Sequence, residues 1–177
     1  MRAAFPALRI LALGWLMTGA WSVGSDLTPA HAQSAPSAER VRGGMFDASD
    51  PQGLARFMTE AGYRAEATLA SRGAPVIRGR LSKSEYAIQF YECENGAFCN
   101  SIQFLASARR PPSLALEEVN AFNARWRYVR LSIADGQARL QMDVNLDAGV
   151  TADNFEDTLD IWRQLLEMFE RDILQIP

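Results

Sequence analysis

Two cysteines, Cys93 and Cys99, are the residues of this 177-residue chain best placed to do chemistry together, within "YECENGAFCNSIQF". Paired thiols serve as metal ligands, as a redox couple or as a disulfide. A structural zinc site needs about four nitrogen or sulfur ligands, and the only histidine, His31, stands far away near the N-terminus. Dithiol redox motifs set their cysteines closer, as C-x-x-C. Period-two alternation flanks the pair, with Tyr86, Ile88 and Phe90 before it and Ile102, Phe104 and Ala106 after it. A hairpin that sets Cys93 opposite Cys99 also pairs Phe90 with Ile102, Ile88 with Phe104 and Tyr86 with Ala106, so every apolar residue falls on one face. Opposed strand residues lie within disulfide reach. The expectation is a Cys93–Cys99 staple in an oxidising compartment.

The carboxylates are the second candidate chemistry. Asp143, Asn145 and Asp147 in "DVNLDAGVTADNFE" mimic the opening of a calcium loop, but Ala148 stands where that loop needs glycine and Asn154 where it needs glutamate. Asp153, Glu156, Asp157 and Asp160 form an acidic start to a helix, an ordinary complement to the helix dipole. No metal and no cofactor are expected. A carboxylate-based or metal-dependent enzyme built on residues 143 to 160 stays as the competing class. A small-ligand carrier, marked by a deep apolar pocket with convergent polar groups, is the third. Asn120 and Asn123, three apart on a helix, either contact a partner or bond to a nearby loop or strand end, since asparagine is a weak helix former.

Elements that position these residues follow from periodicity. Asp50 then Pro51 opens a helix with Leu54, Phe57, Met58 and Ala61 as its stripe, and Gly62 closes it. Strand-like runs follow over 63–69 and 75–81, then the stapled hairpin. Ser113 caps a second helix with Ala115, Val119, Phe122 and Trp126 on one side. Asp135-Gly136 is a primed hairpin turn. Its register opposes Val129 to Met142, Leu131 to Leu140 and Ile133 to Ala138 on the buried face, and Tyr128 to Asp143 and Arg130 to Gln141 on the other. Thr151 caps a long helix to about residue 174, whose stripe of Phe155, Leu159, Trp162, Leu166, Phe169 and Ile173 is widened by Ile161, Leu165 and Met168. The expected fold is α+β: an antiparallel sheet of five or six strands with three helices, in the order α-β-β-β-β-α-β-β-α.

The N-terminus reads as an export signal over residues 1–32, with Arg2 and Arg9 ahead of "ILALGWLMTGAWSV" and the triplet Ala30-His31-Ala32 at its end. The run is short for a spanning helix, which needs about 20 apolar residues, so cleavage is favoured over retention as an anchor. Residues 33–45 read as a flexible tail and 46–177 as one domain. The expected location is periplasmic or secreted, with no membrane contact after cleavage. Removing His31 takes away the usual proton carrier of Ser/His/Asp and Cys/His mechanisms. The chain is acidic, with a formal charge of −3, which argues against nucleic acid as partner.

"DPQGLARFMTEAGYRAE", "YECENGAFCNSIQF" and "EEVNAFNARWRYVRLSIADGQARLQMDVNLDAGVTADNFEDTLDIW" resemble the YbjN domain family, described as bacterial sensory transduction regulators. That family is similar in fold to the chaperones of type III secretion systems, small α+β proteins that are often dimeric, bind other polypeptides and carry no cofactor. The resemblance implies a binding module with no catalytic residues to carry over. Candidate partner-binding residues are Asn120, Asn123, Tyr128, Arg130, Leu165 and Met168. The wide apolar arc that includes Leu165 and Met168 is covered either by a second subunit or polypeptide partner, most simply in a twofold dimer, or by the first helix of the same chain.

Overall fold

The computed structural model describes residues 45–69, 73–94 and 97–176. The expected export signal and all of the expected tail except Met45 lie outside them. Met45 itself belongs to a short strand, β1 (Met45–Phe46), and not to a tail. The first helix, α1 (Pro51–Glu60), begins as the sequence dictates: the Asp50 carboxylate accepts the Gly53 N–H at 2.8 Å, with proline at the first helical position. Gly62 turns the chain out at φ +91°, a conformation that glycine enters without a Cβ penalty.

Strands β2 (Arg64–Leu69), β3 (Pro75–Leu81), β4 (Ser84–Tyr91) and β5 (Ser101–Arg109) run as an antiparallel meander. Helix α2 (Leu116–Arg125) leads to the hairpin of β6 (Arg130–Ala134) and β7 (Gln137–Asn145). Strand β8 (Val150–Thr151) enters α3 (Ala152–Met168), and a single π-type turn over Phe169–Ile173 ends the fold. The sheet order is β2-β3-β4-β5-β7-β6, so β2 and β6 are its edges. The α+β class, the three helices and the order of the main elements agree with the sequence. Both hairpin registers also hold, with Phe90 opposite Ile102, Ile88 opposite Phe104 and Leu131 opposite Leu140. Asp135 and Gly136 both take positive φ, 53° and 72°, as a primed turn requires.

One face of the sheet packs under the helices. Trp162 of α3 is fully buried and meets Phe104 at 5.3 Å and Tyr86 at 6.1 Å between ring centroids. Gly79, opposite Tyr86 on β3, makes room for that ring: a Cβ there would stand 2.5 Å from Tyr86 Cζ. The Tyr86 hydroxyl and Trp162 Nε1 are buried without hydrogen-bond partners.

Three local expectations need correction, and one pair of strands was not foreseen. Ser113 does not cap α2, because Leu114 turns into the core through a Leu114 N–H to Pro111 O bond of 3.1 Å; Ala115 is the cap, and Glu118 accepts its N–H at 2.8 Å. The ladder from Val129 and Tyr128 to Met142 and Asp143 does not form, since Tyr128 takes φ +66° and β6 starts at Arg130. The pair of β1 with β8 was too short to announce itself by periodicity. Finally, α3 does not continue as a plain α-helix to residue 174. The Leu174 N–H reaches Phe169 O at 2.9 Å, one residue further back than in an α-helix. That turn directs buried Glu170 onto the β3–β4 turn, where it accepts from Ser82 Oγ at 2.6 Å and Lys83 N–H at 2.9 Å.

Candidate functional site

The segment "RWRY", residues 125–128, builds one wall of a groove. Helix α2 stops because Trp126 leaves helical space for φ −102°, ψ 135°, while its N–H still bonds Phe122 O at 3.0 Å. Two residues later Tyr128 takes its left-handed conformation, an outlier for a bulky side chain. Trp126 is thereby half-buried against Phe122, with rings 6.4 Å apart, and Tyr128 stays 62% exposed. The other wall is α3 and its π turn, through Ile161, Gln164, Leu165, Glu167, Met168 and Arg171. The open space between the walls is about 560 Å³.

Charge around the groove is one-sided. The Arg125 guanidinium lies 4.9 Å over the Trp126 ring and that of Arg127 5.0 Å over Tyr128. Arg171 donates to both Asp172 oxygens at 2.6 and 2.9 Å, and this pairing holds the Asp172 carboxyl below the usual carboxylate range. Glu167 accepts from Arg163 Nη1 at 3.1 Å.

Of the six candidate binding residues, the fold brings Tyr128, Leu165 and Met168 together in this groove. Leu165 and Met168 are not the exposed flank that a wide apolar arc suggested: they are 7% and 4% exposed within the single chain and form the groove's floor. Helix α1 is not their neighbour in the groove. It meets α3 nearer its start, through Phe57 and Phe155 at 6.0 Å. Asn123 takes the second of its two readings. Its Nδ2 donates to Leu131 O at 3.0 Å and its Oδ1 accepts the Leu131 N–H at 2.8 Å, a clasp on edge strand β6. Asn120 is exposed on α2, and Arg130 stands opposite Gln141 on the sheet face away from the helices. Neither lines the groove. Trp126, assigned to the core by its stripe, does pack half-buried against it but also lines the groove, which was missed together with the arginines at 125, 127 and 171; arginine alternating with aromatics straight after a helix end was the available signal.

The sulfurs of Cys93 and Cys99 lie at disulfide distance, 2.15 Å apart. The carboxylates and amides of the calcium-like segment are engaged locally. Asp143 accepts from Gln103 Nε2 at 2.5 Å, and Asn145 Oδ1 accepts the Asp147 N–H at 2.9 Å. Among the described residues no group of three or more His, Cys, Asp or Glu converges to hold a metal ion. A second depression of about 600 Å³ lies on the open sheet face. There Glu66 faces Arg78 across the strands and Arg80 reaches Glu85 at 3.5 Å, so the charges largely answer one another.

The sequence model of YbjN, described as "Putative bacterial sensory transduction regulator", matches residues 50–175. The chain belongs to the YbjN family. The matched YbjN span runs from the α1 cap to just beyond the π turn, and so takes in the stapled hairpin, the Asn123 clasp and every groove residue. Among curated proteins none matches the chain.

Proposed function

We propose that this YbjN domain is exported and acts as a non-catalytic regulator by binding a polypeptide in the groove between "RWRY" and α3. The observation that carries the reading is the strained, exposed Tyr128 held over an apolar floor. Backbone strain persists where the surrounding structure over-determines it, and it gathers at ligand clamps and switch regions. Aromatic residues and arginine are also the side chains most enriched at protein interfaces. Of the carboxylates that a catalytic reading would use, Asp143 is engaged by Gln103 and Asp160 by Arg163, and among the described residues none joins a group of three that could hold a metal ion.

Site-specific photo-crosslinking in cells tests this. A photoreactive residue at position 128 is expected to trap discrete polypeptide adducts, whereas the same residue at position 130, on the far face of the sheet, traps none. Adducts of twice the chain mass would point to a second copy in the groove. Equal trapping at both positions, or none at 128, would overturn the reading.

A further inference from the structure

We propose that the polypeptide this groove accepts is an acidic segment carrying a bulky apolar anchor, an inference that deepens the binding reading above and rests on it. Three arginines and one glutamate are the charged residues of the lining, and that glutamate, Glu167, is already held by Arg163. The groove is therefore a basic patch on a chain whose formal charge is −3. Arg171 is engaged by Asp172. Arg125 and Arg127 are different: among the described residues they make no ion pair, and their guanidinium groups rest on the Trp126 and Tyr128 rings, with Asp172 within electrostatic reach of Arg125 but not bonded to it.

A stacked guanidinium keeps its hydrogen-bonding edge outward and gives up little side-chain freedom when a carboxylate arrives, which is the geometry of bidentate recognition. Beneath that rim the floor is apolar, formed by Trp126, Ile161, Leu165 and Met168. Methionine there adapts to anchors of different shape. The complement is a segment with Asp or Glu on either side of a large apolar residue. A flat anionic bilayer answers the arginines but leaves the floor uncovered, and so fits less of the surface.

Selection of randomised displayed peptides on the purified protein, run in parallel on Tyr128→Ala and on the double variant Arg125→Gln/Arg127→Gln, tests the inference. All three altered residues are exposed, so the fold is expected to persist, and circular dichroism checks it. Enrichment of peptides with carboxylates flanking Leu, Phe or Trp is expected. Those peptides should bind the double variant about tenfold more weakly, with an affinity that falls as salt rises. Enrichment of neutral or basic peptides that still requires Tyr128 overturns the acidic class and leaves the groove reading standing. Enrichment independent of Tyr128, or none at all, overturns both. Binding to phosphatidylglycerol vesicles that is lost in the double variant, without peptide enrichment, assigns the patch to membranes and likewise overturns the inference.

Discussion

Tyr128 holds a left-handed backbone that costs an aromatic residue about 1–3 kcal/mol, and its ring is mostly in solvent, where burial returns little of that cost. Asparagine enters the same conformation more readily, because its short side chain can bond locally. Tyr128→Asn is therefore expected to keep stability or raise it by about 1 kcal/mol while capture at the groove falls. Urea denaturation and crosslinking yield give the two readouts. A lower urea midpoint would show that the ring packs. The opposite case is Tyr86, whose hydroxyl is buried and unpartnered. Burial, reinforced by neighbouring Tyr63, pushes its pKa above the ordinary value near 10. The folded state thus keeps a proton that the unfolded chain gives up, so this contribution to stability is whole below about pH 10 and declines as pH rises beyond it. Tyr86→Phe removes that decline, about 1.4 kcal/mol per pH unit for one proton. It also removes a desolvated hydroxyl, so the variant is expected to match or exceed the wild type by about 1 kcal/mol at neutral pH. Unfolding midpoints measured from neutral pH into the alkaline range check both parts.

Helix α2 is tied to the sheet at its edge by one side chain. Strand β6 has β7 on one side only, and Asn123 supplies a donor and an acceptor to Leu131 on that strand, standing in for a neighbouring strand. Asn123→Ala leaves both Leu131 groups unmet and is expected to cost about 2 kcal/mol, read as a lower urea midpoint. Asn123→Asp keeps the acceptor but sets a carboxylate oxygen against Leu131 O, so it should rescue nothing. Groove affinity should fall with either variant, because Trp126 stands on the end of α2. An unchanged midpoint for Asn123→Ala would show that water replaces the clasp without loss. The elements themselves were largely legible in sequence. Hairpin registers followed from two strands whose alternation had to agree at every rung, and α1 and α3 from Asp50 and Thr151, which both accept hydrogen bonds as caps. The groove was legible only in part, through Tyr128, Leu165 and Met168; its shape was not, because the alternation of Tyr128, Arg130 and Ser132 reads as uninterrupted strand and no local pattern announces a left-handed tyrosine. Ser113 misled in a similar way: it is a favoured cap residue, yet burial of Leu114 set where the helix could begin.

At the scale of the molecule, the stapled hairpin is a point of attachment for segments distant in sequence. Cys99 pairs with fully buried Ala48 through an isolated antiparallel bridge, and Asn100 O accepts the Leu146 N–H at 3.0 Å. Close by in sequence, β1 pairs with β8, which leads into the Thr151 cap of α3. The hairpin tip thus holds the start of the domain and the end of β7 in place. A cross-link over so short a loop contributes only about 2 kcal/mol in the chain-entropy account, so the fold is expected to survive its loss. Cys93→Ser/Cys99→Ser should lower stability by about that amount, with faster hydrogen exchange appearing first around residues 45–49 and 146–150. Peptide affinity at the groove should hold at moderate temperature, because residues 125–128 and 161–171 belong to other elements. The same pair reports on compartment. If the chain is exported as its N-terminus suggests, unreduced mass spectrometry of protein from exporting cells will find it lighter by the two thiol hydrogens. Free thiols in that protein would count against both the staple and the oxidising location, since opposed cysteines in an oxidising compartment have no reason to stay reduced.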